Sequence, residues 1–459
     1  AEAAGTAAGA AATAAGAASA SGRTSADTAG AAAGEADRER VRAQAPDPPV
    51  WPATVVGAGA AGILAAIFAA RGGVRVLLVE SRPRPGAKIR ISGGGRCNLL
   101  PSAALADDFH TEGSPHAMRN VLASWPLEEV RGFFEGELGI ALEVEPTGKV
   151  FPQSDDPREV VAALLGECER AGVRLVGGWK VRSARRVERA DGARFELEGP
   201  DGETVACRSL VLATGGLSLP KTGSDGSGFE LARALGHELL QTYPALVPLL
   251  SGDPRWASLA GISLRARLRA SRGGAVIEER EGDLLFTHRG FSGPLVLDLS
   301  WRRSGPWGEG VELTAHWLGT SVREWDPFLR QGGPRSVAAA LRDELPRRLV
   351  ALLLERAQVD PARRLGELSR EERRRLVSEL EACRLDVSGD EGYRTAEVTG
   401  GGIALGELST RTLESRRVPG LYFCGEMVDV TGRIGGFNFL WAFVSGHKVG
   451  QALAAQPPP

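Results

Sequence analysis

Cysteine is scarce and scattered in this chain. Cys97, Cys168, Cys207, Cys383 and Cys424 are the five cysteines among 459 residues, and they form no CxxC pair and no regular spacing. That sets aside a disulfide framework and a dithiol motif, and it suits a reducing compartment. The six histidines stand apart from one another and from the cysteines, so no metal site is expected. No stretch approaches the ~18 consecutive apolar residues of a membrane span. Neither sign of charge dominates: 55 Lys and Arg face 57 Asp and Glu, for a formal net charge of -2. Nothing global therefore points to nucleic acid or an anionic membrane as partner. The expectation is a cytoplasmic protein with a small-molecule substrate, its oligomeric state unreadable.

Glycine, by contrast, is abundant at 60 residues, so a single glycine pattern is weak on its own. One stretch is stronger. Ala53 to Val56 reads as a buried strand, Gly57-Ala58-Gly59-Ala60-Ala61-Gly62 as a turn into an apolar helix, and Val74 to Glu80 as a second strand with an acidic end. In such a unit the first glycine permits the turn, the second lets a pyrophosphate approach the backbone, and the third lets helix and sheet pack closely. Free amides at the helix start bind phosphate. Glu80, followed by Ser81, falls where a carboxylate accepts bonds from ribose hydroxyls and repels a 2'-phosphate, so the first cofactor is FAD or NAD rather than NADP. The bland alternative is an ordinary strand turn.

In chain order, residues 1–50 are an Ala-rich tail with almost nothing large to bury, and disorder is expected there. A targeting role fits poorly with its acidic residues. Past the basic turn Arg82 to Lys88 comes Ser92-Gly93-Gly94-Gly95-Arg96-Cys97-Asn98. Three glycines in a row make most sense where chain and ligand nearly touch; Arg96 could neutralise a phosphate and Asn98 contact a ring system, or the segment could be a plain surface loop. Helices are expected near 127–138 and 158–171, then a small antiparallel excursion near 182–207, then a buried strand ending in Ala213-Thr214-Gly215-Gly216. From about 250 to 315 short strands suggest a β-rich second part, followed by charged helices at 336–353 and 369–382 whose interleaved Arg and Glu read as solvated faces. Near the end, a strand closing on Gly425-Glu426 can offer its carboxylate to ribityl hydroxyls. The helix expected after Gly435-Gly436-Phe437-Asn438 can aim its amides at the flavin O2 and N1, where negative charge develops on reduction.

On Val56 to Gly62, Ser92 to Asn98, Val150 to Pro152, Ala213 to Gly216, Thr222 to Gly228, Pro244 to Leu249, and Gly420 to Gly436 with Asn438, the chain resembles the NAD(P)/FAD-dependent oxidoreductases related to the flavoproteins BaiN and YhiN, with a glutathione-reductase-type FAD domain. The resemblance spans about 51–450. It implies an α/β fold in which a Rossmann-like FAD-binding domain, three-layered with a mostly parallel sheet, is interrupted by an inserted β-rich and helical domain. The parts would be 51–243 and 396–453 for FAD, 244–395 for the insert, and a Pro-rich tail at 454–459. It also implies a cofactor set of Gly57, Ala58, Gly59, Ala60, Ala61, Gly62, Glu80, Ser81, Lys88, Gly94, Gly95, Arg96, Cys97, Asn98, Ala213, Thr214, Gly215, Gly216, Gly425, Glu426, Gly435, Gly436, Phe437 and Asn438. Phe437 to Trp441 departs from the Tyr-Asn-Leu-Gln expected there, which puts the substrate side in doubt.

The working reading is a FAD-dependent oxidoreductase, reduced by NADH or NADPH at the flavin face, that passes hydride to an organic acceptor such as an enone. No second GxGxxG follows a strand, so a separate nicotinamide domain is not expected. His288, Arg289 and Tyr393 are insert-side candidates for a proton donor, each with a structural role as its rival reading. Cys97 has no sequence neighbour with which to form a redox pair, although Cys424 could meet it in space. A flavin-dependent oxidase or dehydrogenase, and a non-catalytic FAD-binding protein, stand as the alternatives.

Overall fold

A computed structural model describes residues 50–456. The expected Ala-rich tail and the last residues of the Pro-rich end, 1–49 and 457–459, lie outside the described residues. The opening unit folds as β1 (Trp51–Val56), α1 (Ala60–Arg71) and β2 (Val76–Glu80), followed by α2 (Ala87–Gly95) and, further on, by α3 (Pro157–Arg170). β3 (Arg174–Gly177) extends the parallel sheet beside β2. β4 (Ser183–Arg186), β5 (Phe195–Glu198) and the first half of β6 (Thr204–Leu212) then form an antiparallel meander. The second half of β6 returns to the centre and runs parallel to β1, pairing Ala53 with Ser209 and Val56 with Leu212.

The middle strands carry runs of Val, Leu and Ala on both faces because helices cover both sides. Val55, Leu78, Leu210, Val211 and Leu212 are wholly buried, at roughly 1.5–3 kcal/mol for each large side chain.

The chain departs on Leu239–Ala245 and comes back on Val398–Ile403, and these two strands pair antiparallel. Between them lies a second, wholly antiparallel sheet with a separate core. Its longest strands are β7 (Ser263–Arg272), β8 (Ala275–Phe286) and β9 (Val311–Trp317), and α4 (Pro294–Ser304) packs on β8. The helical stretch expected at 336–353 is broken into Val337–Arg342 and Arg347–Ala357. Pro346 caps the second piece, since proline lacks the amide that would continue the first. The helix expected at 369–382 runs Arg370–Glu381 and starts with a capping box of Ser369 and Glu372.

β10 (Leu421–Phe423) rejoins the parallel sheet beside β6, and α5 (Phe437–Ala454) closes the fold against α1. Both helices are largely apolar because most of their length is buried. Small residues set their separation: a side chain at Gly446 would meet the Ala61 carbonyl at 2.3 Å, and one at Gly450 would meet the Ala65 carbonyl at 2.8 Å. No helix among the described residues is long and apolar enough to cross a membrane.

Candidate functional site

A cavity of about 420 Å³ runs along the carboxyl ends of the parallel strands, where open α/β sheets bind nucleotides. Its first wall is the glycine turn, and the three glycines differ in kind. Gly57 has φ 103°, and a side chain there would meet the Ala213 carbonyl at 2.5 Å, so it serves a tight turn against β6. Gly62 would meet the Gly57 carbonyl at 1.9 Å, so it serves helix packing. Gly59 has nothing within 4 Å: its missing side chain opens toward the cavity. Glu80, at the end of β2, accepts a hydrogen bond from the Ala58 amide at 2.8 Å and another from Arg82 N, which ties strand to turn.

The segment expected as a glycine loop begins as the end of a helix. α2 leaves helical geometry at Ser92, and Gly93, Gly94 and Gly95 follow in the left-handed region, with Cys97 also at positive φ, 64°. This reversal turns Arg96 away from the cavity. Its guanidinium lies 4.2 Å over the Phe151 ring and pairs with Glu145 and Asp155, each at 2.8 Å. Cys97 is wholly buried, and burial pushes its thiol up to about 12, so a reactive thiolate is disfavoured. Asn98 does face the cavity, and its buried Oδ1 has no hydrogen-bond partner among the described residues.

At the opposite wall Glu426 is held by three donors. Lys88 Nζ lies 2.6 Å from one carboxylate oxygen, and Ser218 Oγ and the Thr399 amide donate to the other at 2.7 and 2.9 Å. Gly435 and Gly436 have φ 116° and 93° and lead into α5, whose first residues line the same end. Asn438 clamps that turn: its Oδ1 accepts from Gly432 N at 2.8 Å and its Nδ2 donates to Gly432 O at 2.9 Å. Trp441, one of the unexpected bulky residues, donates from its indole to the Gly425 carbonyl at 3.0 Å.

Of the residues expected at the cofactor, Gly57, Ala58, Gly59, Ala60, Ala61, Glu80, Ser81, Lys88, Gly94, Asn98, Ala213, Thr214, Gly215, Gly425, Glu426, Gly435, Gly436 and Asn438 line the cavity. Gly62, Gly95, Arg96, Cys97, Gly216 and Phe437 are outside its wall. Gly216 instead backs on Thr399 and Phe437 packs edge-on against Phe109. The proton-donor candidates are not brought to the cavity either. His288 and Arg289 are exposed on a turn of the second sheet, Arg289 pairing with Glu391, and Tyr393 is half-buried near Thr242.

Sequence reasoning missed other residues of the wall. Trp179, Lys180 and Val181 line one end, and Lys149, Glu397, Arg433 and Ile434 line the other. Glu397 is exposed where it opens into the cavity, and desolvation by the protein packed around that opening raises its carboxyl above the ordinary range, opposed by Lys149 and Lys88 and reinforced by Asp298. The signal for it was present, since Glu397 stands shortly before the second glycine run, Gly400 to Gly402. Asp298 reaches across from α4, accepting from Ile434 N at 2.7 Å and from Arg433 Nε at 3.2 Å, and Arg433 also meets Asp108 at 3.1 Å.

These residues fit a bound FAD. The cradle at Gly59 is one that a side chain would fill, and the orphaned Asn98 oxygen marks the far end as awaiting a polar partner. Among the described residues no cluster of His, Cys, Asp or Glu is arranged to hold a metal ion.

Fold and site together define a FAD-dependent oxidoreductase built on a Rossmann-like domain. The model of the HI0933-like protein Rossmann domain matches residues 52–452, and the chain belongs to this FAD-binding family. It is 37% identical over 413 residues to the ribosomal RNA dihydrouridine synthase of Escherichia coli K12, covering 88% of this chain and 98% of that one. It is 33% identical over 417 residues to the 3-dehydro-bile acid delta(4,6)-reductase of Clostridium scindens, covering 88% and 99%. Among solved structures, a 3-ketosteroid-delta4-(5alpha)-dehydrogenase of Rhodococcus jostii RHA1 aligns with 90% of this chain and 99% of its own, at TM-score 0.45 and 17% identity, too distant to speak to substrate.

Proposed function

We propose that this protein saturates a carbon–carbon double bond conjugated with a carbonyl, and that its acceptor is a uracil base in RNA. The observation that carries the reaction type is the place of Glu397, a carboxyl on the wall of the cavity, and burial raising it above the ordinary range is consistent with that role. The amides of Gly59, Ala60 and Ala61 would hold the FAD pyrophosphate, Glu80 and Ser81 the ribose, Trp179 to Val181 the adenine side, and Gly93, Gly94, Asn98, Gly435 and Gly436 the ring system. FAD held there, recharged by NADH or NADPH, would supply the hydride chemistry for an acceptor's β-carbon.

The rest falls to the chain. Glu397, its carboxyl raised by burial, is placed to deliver a proton to the α-carbon, since a general acid works better as its pKa moves toward the operating pH. Lys149 limits how far that pKa rises. The amides at the start of α5 stabilise negative charge facing them. The domain division that accompanies this reading is 51–243 with 396–453 around FAD, and 244–395 as the wall on the acceptor side.

Two relatives support the acceptor class from different directions: one name specifies dihydrouridine in ribosomal RNA, the other a delta(4,6) reduction of a 3-dehydro-bile acid. Both acceptors are conjugated enones. The higher identity favours uracil. The chain's balanced charge argues against nucleic acid only on average, and a local basic face is compatible with it. The second reading, a free steroid-like dienone, rests on the 33% relative.

The test is anaerobic mixing of FAD-loaded protein with NADH or NADPH, followed by flavin absorbance, and then addition of unmodified ribosomal RNA or a 3-oxo-4,6-diene steroid. Rapid bleaching followed by re-oxidation with RNA, together with dihydrouridine in the product, is expected. Re-oxidation by the steroid alone would move the proposal to the second reading. Glu397→Gln should leave bleaching intact, slow re-oxidation by ~10²-fold or more, and remove the alkaline limb of its pH profile. An unchanged profile would exclude Glu397 as the donor.

A further inference from the structure

Beyond the main cavity lie smaller ones, and the walls of two of them are shared with it in series. A cavity of about 140 Å³ includes Arg433, which also walls the main cavity, together with His110, Trp301 and Arg302. A third, of about 180 Å³, is lined by Arg272, Ile277, Trp301, Arg302 and Trp307. Resting on the reading that the acceptor lies in RNA, we propose that this third cleft is a base-stacking subsite for an unpaired nucleotide flanking the one that enters the main cavity.

The first argument is the layering of planar groups. The His110 ring stacks on Trp301 with centroids 3.9 Å apart and planes at 28°, and the Arg302 guanidinium carbon lies 3.7 Å from the Trp301 centroid. Two groups that close to one ring must take its opposite faces. Arg302 is therefore the outer plane of a three-layer stack, and Glu278 fixes it at 2.6 Å. The cleft beyond has Trp307 in its wall, which is 49% exposed. Ile277, 37% exposed, walls the same cleft, and exposed apolar side chains gathered in one cleft mark a binding surface where a lone one would not. A cleft walled by a guanidinium plane and an exposed indole suits a nucleobase, which stacks on both kinds of surface without regard to its identity.

The second argument is charge. The arginines of β7 pair across the hairpin with Glu279 and Glu281: Arg265, Arg267 and Arg269 all do so. Arg272 is the β7 arginine with no carboxylate partner among the described residues, and it is the one in the cleft. Arg303, on α4 beside Arg302, likewise has none. The charged residues in the cleft wall are Arg272 and Arg302, and Glu278 pairs with Arg302 alone of these two, so the wall itself carries positive charge on a chain whose total is -2. That is what a phosphate beside a stacked base requires. A free steroid would need the stack but not the unpaired arginines.

The experiment uses the full chain loaded with FAD and a fluorescein-labelled single-stranded oligouridylate, with anisotropy read at several salt concentrations. Trp307→Ala should weaken binding about 5- to 50-fold, the value of one base stack, while Trp307→Phe keeps most of the affinity. Arg272→Ala should weaken binding and reduce the salt slope by about one. Retained flavin absorbance and an unchanged Tm check that each variant is folded. Equal affinity for wild type and Trp307→Ala, or equal loss with Ala and Phe, overturns the stacking subsite even where RNA is reduced, and the RNA reading then stands without it. A wild-type protein that neither binds nor reduces RNA, yet is re-oxidised by the dienone, overturns both.

Discussion

At the scale of single residues, the glycine turn separates three jobs that one motif conceals. Gly59→Val should fold normally, because nothing lies within 4 Å of the new side chain and the backbone there is ordinary for any residue. It should lose FAD on gel filtration, because the branch fills the approach to the turn. Gly62→Ala acts the other way: the added carbon drives α1 off the Gly57 carbonyl, and a destabilisation of roughly 1–3 kcal/mol should appear in denaturant melts of the apoprotein. If both variants keep FAD and differ from wild type only in stability, the cavity beside Gly59 is not the pyrophosphate site. These positions were legible from sequence because the constraint is local. Arg96 was not. It directly follows Gly93, Gly94 and Gly95 in a run that looked ready for a phosphate, and the positive-φ backbone of those glycines and of Cys97 swings it onto Phe151, Glu145 and Asp155.

At the scale of elements, the pairing of α1 with α5 carries a pH dependence. His447 on α5 stacks on Trp125 at 4.3 Å and meets Phe68 edge-on, and its buried Nδ1 has no hydrogen-bond partner among the described residues. Burial, with Lys448 adding to it, lowers the imidazole to about 4. The unfolded chain takes up a proton near pH ~6.5 and the folded one does not until about pH 4. The unfolded state therefore binds more protons between these values, and stability falls as pH drops through that window. Tm measured from neutral pH down into that window should decline on the acid side, and His447→Phe should make that decline shallower. An unaltered slope would mean that the ring titrates normally. The existence and type of α1, α3 and α5 could be read from their apolar patterns. The split at Pro346 and the kink inside α2 could not be read from periodicity, because both are set by backbone geometry at one or two residues.

At the scale of the whole molecule, Asp298 on α4, the helix packed on the second sheet, supports two residues of the main cavity's wall. Its carboxylate holds Ile434 N and Arg433 next to the Gly435–Gly436 turn, and burial raises its pKa even though Arg433 opposes that shift. Asp298→Ala should cost about 1–3 kcal/mol by leaving these donors unpaired. It should also shorten FAD retention, read as the dissociation rate of flavin fluorescence, because the turn loses its outside support. Unchanged retention with lowered Tm would make Asp298 structural only. No sequence pattern could join a residue of α4 to a turn so far along the chain. His288, Arg289 and Tyr393 were chosen for chemistry alone and stand elsewhere, whereas Asp298 and Glu397 owe their place to where the chain crosses back.

The crossing itself is narrow. Leu239–Ala245 and Val398–Ile403 lie side by side, so the chain leaves for the second sheet and returns from it at one place, its two ends already fastened together. Lengthening or shortening a loop closed in this way changes its entropy only logarithmically. A lineage could therefore refit the outer wall, widening it for a strand of polymer or narrowing it for a lone metabolite, without loosening the parallel sheet on which the cofactor chemistry depends.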